Sequence, residues 1–535
     1  MMIMRKIQYI LSITLALLIG YPCVAQDTIF NRVVVVERDF QPEIEQAQII
    51  YVKPSILQVE VDPNPVVYST YSSPLSIGFN LHPLQAAELR FKRPAPLNGI
   101  IDAAVGHHNT HLDFDYQIRK VSNLTANVYA QHDAYWGSNT LAHSKVGSDG
   151  IYDFNKVRLY FGINGGNEAF TMIGKDKLQS LYHTTAHIGI CSNSEYNLQY
   201  NIQTGYKAFI TPELIEHQIR SFFDINWTER QHTGGIKIYA QNNLYSSVQD
   251  LTAIHNVRIQ PFYELKVPQI RLHAGVNLDI NIGTNQMLST ISNISFAPSP
   301  NVQFEWFIQP DKLNLHAEIN GSFSTGSIDE DIHVNRYFDL SKIKTRRDAK
   351  TYIPISTNIG LKLRPFRTLL LDIYGGYSLY LNDYTMEYDN TNMSYSYLLH
   401  NYQRGHIGAV AHYHFKDVIN IETSGNYYFW KNLGTNSPVY DRPDWDASLR
   451  IDVNIDQKWS LYSDNRLEGK RLAHTTSRDE QLPMVIDLNI GAQYDINRWL
   501  NVYLQLGNYL HRKNPIYYGY TTQGCHFLTG VKYVF

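Results

Sequence analysis

The dominant pattern along the chain is the alternation of apolar and polar residues. Between residues 269 and 282 every second residue is apolar, from Ile270 to Ile282, with polar or small residues between them. Alternation with period two places the apolar side chains on one face of a β-strand. The pattern recurs at 198–210, 219–227, 447–455, 486–494 and 500–506. Most of these segments exceed the five or six residues of an average strand and have the length that crosses a bilayer when tilted.

The connections between these segments are of two kinds. Residues 266–269, 365–368 and 497–499 are tight turns, whereas 325–351 and 383–405 are long and polar, and 162–166 is interpreted as a glycine-rich hairpin turn. Short turns at one end and long loops at the other are typical of outer-membrane barrels. The sequence therefore predicts an all-β fold, an antiparallel transmembrane β-barrel over residues 98–535, with about 20 strands and 18–22 allowed.

The first 97 residues differ from the rest. Arg5 and Lys6 precede an apolar run at 10–19, and Ala25 ends a small-residue motif, which together predict a secretory signal peptide over residues 1–25. Eight of the 21 prolines fall within residues 26–97. Because proline fixes φ and removes a backbone donor, this stretch is predicted to be an extended periplasmic arm rather than regular sheet or helix.

Composition narrows the classes of protein. The formal charge is −3, so no basic field favours nucleic-acid binding. A mean hydropathy of −0.30 excludes a bundle of transmembrane helices, which needs long apolar runs. An apolar content of 44% is too high for a disordered chain. The class that remains is a large β-rich protein. After cleavage of the predicted signal peptide, two cysteines are left, Cys191 and Cys525, which either form a disulfide in an exported protein or fill unrelated small sites.

No catalytic motif is present, which predicts a protein that is not an enzyme and has no cofactor. His107, His108 and His111, or His412 with His414, supply at most two metal ligands in register, so no metal site is predicted. Six acidic loop residues either bind Ca²⁺ or are ordinary surface-loop carboxylates, and they lack the fixed spacing of a calcium-binding loop: Asp329, Glu330, Asp331, Asp383, Glu387 and Asp389. One long connection is basic, and its side chains either bind lipopolysaccharide phosphate or a partner, or are simply solvated: Lys342, Lys344, Arg346, Arg347 and Lys350.

Several motifs resemble a family of outer-membrane β-barrel proteins of the Bacteroidota. They are Arg38–Ile44 in the arm, the proline-rich 298–303, Pro443-Asp444-Trp445-Asp446 and the run 482–491. The C-terminal runs 504–510 and 517–520 resemble the closing strands of TonB-dependent receptors. The alternating aromatics Tyr533 and Phe535 resemble the signal read by outer-membrane assembly machinery. The 72 residues of the predicted arm are shorter than a receptor plug of about 150 residues, so the resemblance implies a barrel lacking a full plug domain.

The resemblance implies an integral outer-membrane protein that passes or binds solutes. The alternative is a non-enzymatic scaffold subunit of an outer-membrane assembly or secretion complex. Expected partners are outer-membrane lipid and lipopolysaccharide, the barrel-assembly machinery, and TonB or other envelope proteins, but not nucleic acid. The valine run resembles a TonB box, a strand that pairs with TonB, and its alternative is a strand sealing the barrel. The predicted contact residues are Val33, Val34, Val35, Val36, Arg38, Asp39, Phe40 and Pro42.

Overall fold

A computed structural model describes residues 98–121, 123–136, 140–172, 175–192, 197–246, 253–283, 293–324, 326–338, 351–416, 418–434, 436–456 and 458–535. These residues form an all-β barrel that is closed by antiparallel pairing of its first and last strands. Twenty-two strands build the wall. The prediction of an antiparallel barrel is confirmed, and the strand number lies at the upper end of the predicted range.

The first half of the wall consists of β1 Gly99–Gly106, β2 Asn109–Val121, β3 Leu124–Tyr135, β4 Leu141–Asp153, β5 Val157–Met172, β6 Lys175–Ser192, β7 Leu198–Ile210, β8 Ile215–Glu229, β9 His232–Ser246, β10 Ile254–Val267, β11 Ile270–Gly283, β12 Asn293–Gln309 and β13 Leu313–Ser324. A short helix, α1 Ile328–Val334, follows. The second half comprises β14 Thr351–Phe366, β15 Leu369–Asp389, β16 Ser394–Phe415, β17 Ile419–Asn432, β18 Trp445–Asn454, β19 Trp459–Glu468, β22 Val485–Asp495, β23 Leu500–Gly507 and β26 His526–Val534. Two small hairpins, β20 Arg471–Thr475 with β21 Asp479–Leu482 and β24 Pro515–Tyr517 with β25 Tyr520–Thr521, lie in connections and not in the wall.

Strands β1 and β26 close the barrel. Ile100 lies opposite Val534 and Gly106 opposite Leu528 in an unbroken antiparallel register. Beyond the register, the Gly99 N–H donates to the Phe535 carbonyl at 2.8 Å, and the Phe535 N–H donates to the Gly99 carbonyl at 2.9 Å. A Cβ on Gly99 would lie 2.5 Å from Phe535 Cζ. A side chain at residue 99 would therefore displace the Phe535 ring, which packs over the seam.

The two ends of the barrel differ in their connections. At the end that holds Gly99 and Phe535, every connection has two to five residues, including the predicted tight turns at 266–269, 365–368 and 497–499. The opposite end carries the long segments 325–350, 433–444, 469–484 and 508–525. We call these the short-turn end and the long-loop end. The asymmetry predicted from the sequence is confirmed.

The two faces of the wall also differ, as alternation requires. On β11 the polar residues Asn277, Asp279 and Asn281 are buried on the inner face, whereas Val276 is 44% exposed on the outer face. The five other alternating segments fall within β7, β8, β18, β22 and β23, with ends that differ by a few residues at most. The outer face is apolar and the lumen is polar.

Two predictions about connections were wrong. Residues 162–166 lie inside β5 and not in a turn. A Cβ on Gly162 would lie 2.1 Å from Asp149 Oδ1, so glycine makes room for side chains of neighbouring strands. Residues 383–405 are not a loop but the outer part of the β15–β16 hairpin, which pairs from Asp383 opposite His400 to Asp389 opposite Ser394. This hairpin contacts another loop segment, since the Tyr395 hydroxyl donates to the Tyr518 carbonyl at 2.6 Å.

Candidate functional site: a capped lumen

The connection between β13 and β14 begins with α1, whose sequence is suited to start a helix. The Ser327 side chain accepts a hydrogen bond from the Glu330 N–H at 3.1 Å, as an N-cap residue does. Asp329, Glu330 and Asp331 occupy the first turn, where negative charge opposes the positive end of the helix dipole. Three acidic residues in a row are thus accounted for by the helix start.

Charged groups attach this segment to distant strands of the wall. Asp329 forms an ion pair with Lys207 of β7, and Glu330 forms one with Arg220 of β8. The Asp329 N–H donates to Glu216 Oε2 at 3.0 Å. Arg336, just beyond the helix, lies 2.6 Å from Glu168 of β5. Since β5 to β8 are five to eight strands away from β13 around the wall, the segment reaches across the mouth of the barrel.

A buried carboxylate and two tyrosines attach the helix to the β15–β16 hairpin. The Tyr397 hydroxyl donates to Asp331 Oδ2 at 2.6 Å, and the Tyr384 hydroxyl donates to Asp331 Oδ1 at 3.0 Å. Asp331 is only 2% exposed. Hydrogen bonds to a buried carboxylate are among the strongest in proteins. Tyr517 of the β24–β25 hairpin donates to the Val334 carbonyl.

A hydrophobic cluster joins these segments. It combines α1, the wall strands β5, β6 and β7, the β15–β16 hairpin and β24–β25, and the Tyr337 and Tyr520 rings stack with centroids 3.5 Å apart. Its buried members are Phe170, Leu181, Phe209, Leu214, Ile328, Ile332, Tyr337, Phe338, Met386, Tyr388, Tyr395, Tyr397, Tyr517 and Tyr520. We call Gly326–Phe338 together with the outer parts of these hairpins the cap. The cap covers the lumen at the long-loop end.

A second buried cluster flanks the cap. Asp383 of β15 accepts hydrogen bonds from Tyr402 and from Thr351 Oγ1 at 2.8 Å, and Arg442 lies 3.5 Å away. Asp441 lies next to Arg442 in the loop between β17 and β18. Burial raises the pKa of Asp441 to about 6, although the charges of Arg471 and Arg442 oppose the shift. Asp441 Oδ2 is buried without a hydrogen-bond partner. This carboxyl therefore favours its protonated form more than an exposed aspartate does.

The acidic loop residues that are candidates for calcium binding do not converge on one point. Asp329 and Asp331 are held by α1 contacts, Asp383 by the second cluster, and Glu387 lies 3.5 Å from His474. The histidines behave similarly, since His111 Nδ1 lies 2.6 Å from Asp133. Among the residues that the structure describes, no group of three His, Cys, Asp or Glu side chains is arranged to hold a metal ion.

Other predicted residues lie apart from the cap or outside the described ranges. Tyr533 is 45% exposed on the outer face, and the Phe535 ring stacks on Tyr116 with centroids 6.0 Å apart at the short-turn end. Cys191 on β6 is near the short-turn end and Cys525 is at the long-loop end, and both are free thiols. The residues predicted for the signal peptide and for the arm and basic loop lie outside the described residues: Val33, Val34, Val35, Val36, Arg38, Asp39, Phe40, Pro42, Lys342, Lys344, Arg346, Arg347 and Lys350.

Sequence reasoning missed the cap residues on the wall, above all Lys207, Arg220 and Glu168. They look like ordinary lumen residues, and nothing local marks them as partners of a segment more than a hundred residues away. One signal was available. Tyr384, Tyr388, Tyr395 and Tyr397 are clustered within residues 383–405, and such density of aromatic residues indicates burial.

No helix in the described segments is both long and apolar enough to span a bilayer. No model of a known protein family matches the chain, and no curated protein is similar to it in sequence.

Solved structures are similar in fold. Copper transporter OprC matches with a TM-score of 0.65 at 11% identity, over 83% of this chain and 82% of that one. The siderophore receptor PiuA from Acinetobacter baumannii matches with a TM-score of 0.62 at 9% identity, over 83% and 82%. The ferripyoverdine receptor of the outer membrane of Pseudomonas aeruginosa, bound to ferripyoverdine, matches with a TM-score of 0.62 at 11% identity, over 83% and 73%. The described part of this chain therefore has the barrel fold of these proteins.

Proposed function

We propose that the protein is an integral outer-membrane β-barrel, similar to TonB-dependent receptors, that binds or passes solutes at the outer membrane. The observation that carries this proposal is a closed 22-stranded barrel with a polar lumen covered by a cap at the end with long loops. A lumen lined with polar groups offers hydrogen bonds to a solute, and a cap controls access to it.

The outer face supports the membrane location. Phe296 is 61% exposed, Ile163 58%, Ile359 59% and Ile407 57%, all on wall strands. Such a continuous apolar surface is unfavourable in water but stable against lipid chains. The long-loop end then faces the cell exterior and the short-turn end the periplasm.

The neighbours in fold include proteins named as a copper transporter and siderophore receptors. By analogy, the solute enters from the long-loop end after the cap moves. In this proposal the Val33–Val36 run, followed by Arg38, Asp39, Phe40 and Pro42, provides the contact with TonB or another envelope protein. The basic residues at 342–350 contact lipopolysaccharide phosphate, and Tyr533 with Phe535 serves the assembly machinery.

The test is ion conductance in planar bilayers. We compare the full chain, a chain without residues 26–97, a cap variant, Asp331→Ala with Arg336→Ala, which loses the contacts to Tyr384, Tyr397 and Glu168, and a chain that combines the deletion with the cap substitutions. We expect little conductance from the full chain and clear channel openings when the cap and the arm are both altered. The matched control is Asp311→Ala with Arg364→Ala at the short-turn end, which leaves the cap intact.

If no variant conducts, passive passage is excluded. The alternative of a scaffold subunit then becomes the better proposal, and its measurement is stoichiometric co-purification of other outer-membrane proteins in mild detergent. Recovery of the barrel alone would count against the scaffold.

A further inference from the structure

Closure of the barrel assembles an acidic region that the linear sequence hides. Strands β18, β19, β22, β23 and β26 continue through the seam into β1, β2 and β3. By sequence, these eight strands carry ten carboxylates and five basic residues, Arg119, Lys120, Arg450, Arg466 and Lys532. The carboxylates are Asp102, Asp113, Asp115, Asp133, Asp446, Asp452, Asp464, Glu468, Asp487 and Asp495. We call this part of the lumen wall the acidic face.

The acidic residues point into the lumen. The residues adjacent to them along the strands are exposed on the outer face, such as Ile101 at 39% and Leu112 at 48%. Asp102, Glu468 and Asp487 are 9%, 1% and 1% exposed. Because successive side chains alternate between faces, the carboxylates lie together on the inside.

Several carboxylates lie directly opposite one another across neighbouring strands. Asp102 is opposite Asp113, and Asp446 is opposite Glu468. Like charges at such positions repel each other. Lys532, 3.7 Å from Asp102, and Arg466, paired with Glu468, neutralise only part of this charge.

The same wall has a surplus of hydrogen-bond acceptors. Glu468 Oε2, Asp487 Oδ1 and Gln493 Oε1 belong to side chains that are 1% exposed, and none of these atoms has a hydrogen-bond partner. The further buried atoms without a partner on these strands are Asn109 Oδ1, Asn127 Oδ1 and Gln505 Oε1. All six are oxygens. Two side-chain amides of this wall already donate to its carboxylates, Gln493 to Asp495 at 2.6 Å and Asn489 to Asp487 at 2.8 Å.

We propose that the acidic face binds an organic cation that carries guanidinium or ammonium groups. Such groups provide both the positive charge that the carboxylates lack and the N–H donors that the orphaned oxygens lack. The carboxylates are spread along the wall, and no described group of three converges to hold a metal ion, which fits a cation with several separated donors.

This chemistry has two possible sources. One is a free cationic solute, which would name the substrate class of the proposed function. The other is the chain itself, because the sequence carries Arg90, Lys92 and Arg93 within ten residues before the start of β1. The inference extends the proposed solute-binding role, but binding in detergent does not depend on conductance, so the two proposals can fail separately.

The experiment measures spermidine binding by isothermal titration calorimetry to the full chain in detergent micelles. The site variant is Glu468→Gln with Asp487→Asn. The matched control, Glu264→Gln with Glu305→Gln, removes the same charge from β10 and β12, outside the acidic face. A third variant, Arg90→Gln with Lys92→Gln and Arg93→Gln, removes the internal source. Heat-modifiable gel mobility checks that each variant is folded.

If a free cation is the ligand, the wild-type chain and the Arg90 variant bind spermidine equally. The site variant then binds roughly tenfold more weakly or worse, since it loses charge-assisted hydrogen bonds. If the chain's own basic segment fills the face, the wild type binds weakly and the Arg90 variant gains roughly tenfold, and adding the site substitutions removes that gain. The proposal is overturned if no folded variant binds spermidine, or if the site and control variants bind it equally.

Discussion

The attachment of α1 to the β15–β16 hairpin gives the most direct prediction about the cap. In Asp331→Ala, two hydrogen bonds to a buried carboxylate are lost, one from Tyr397 at 2.6 Å and one from Tyr384 at 3.0 Å. Each such bond contributes about 1.5–3 kcal/mol. Losing an acidic residue from the first helical turn costs about a further 0.3–1 kcal/mol. The docked cap should thus lose at least about 3 kcal/mol, which corresponds to roughly a hundredfold increase in the population of the open form.

Hydrogen exchange followed by mass spectrometry measures this directly. Peptides that cover Gly326–Phe338 should exchange roughly a hundredfold faster in Asp331→Ala, because exchange follows local opening. Peptides from β7 should be unchanged, since the wall stays folded. Tyr397→Phe removes one of the two bonds and should give a smaller effect in the same peptides.

A double-mutant cycle separates the bond from other effects of the substitutions. The coupling between Asp331→Ala and Tyr397→Phe should be about 1.5–3 kcal/mol, because each single change breaks the same bond. Strictly additive effects, or an exchange rate at 326–338 that Asp331→Ala leaves within a factor of about three, would refute the idea that this carboxylate holds the cap.

Three other changes test further parts of the structure. Burial raises the pKa of Asp441 to about 6, so proton uptake stabilises the folded loop by about 1.4 kcal/mol as the pH falls from 7.5 to 5. The protection of residues 436–444, taken as the intrinsic exchange rate at each pH divided by the measured rate, should rise over this range in the wild type. A protection insensitive to pH, or an Asp441→Asn chain that keeps the dependence, would contradict the assignment. Gly99→Val should weaken closure because its side chain meets the Phe535 ring, and the gel shift of the folded barrel should be lost at a lower temperature, whereas Gly234→Val, where nothing lies within 4 Å, should be tolerated. Cys191 and Cys525 lie at opposite ends of the barrel, so both should react with a maleimide in denaturant without prior reduction; a mass two hydrogens lower, with no labelling, would show a disulfide.

The sequence alone determined the strands. Alternation at 198–210 defines β7 to the residue, and the segments in β8, β11, β18, β22 and β23 were found within a few residues. The reason is physical, because each strand of a barrel wall has apolar surroundings on one side and a polar lumen on the other. Every second side chain therefore has the same polarity. The difference between short and long connections was visible for the same reason, because tight turns leave room for few residues.

Local patterns misled where the role of a residue depended on its neighbours in space. The glycines at 162–166 resembled a turn, but they lie within β5 and leave room for Asp149 and His187. The tyrosines near Tyr395 resembled a loop, but they line a hairpin that is buried by α1. In both places the deciding contact comes from another strand.

Only the tertiary structure decided what the barrel surrounds. Asp331 accepts a hydrogen bond from Tyr397, and Lys207 donates one to Asp329, across separations of 66 and 122 residues in the sequence. The acidic face arises because closure brings Asp102 and Asp113 beside strands more than three hundred residues later. Alternation predicts whether a side chain points to the lumen or to the outer face. Its ion pairs and hydrogen bonds depend instead on which side chains become neighbours, and in a closed barrel these neighbours are determined by the pairing of strands and by the folding of loops over the lumen.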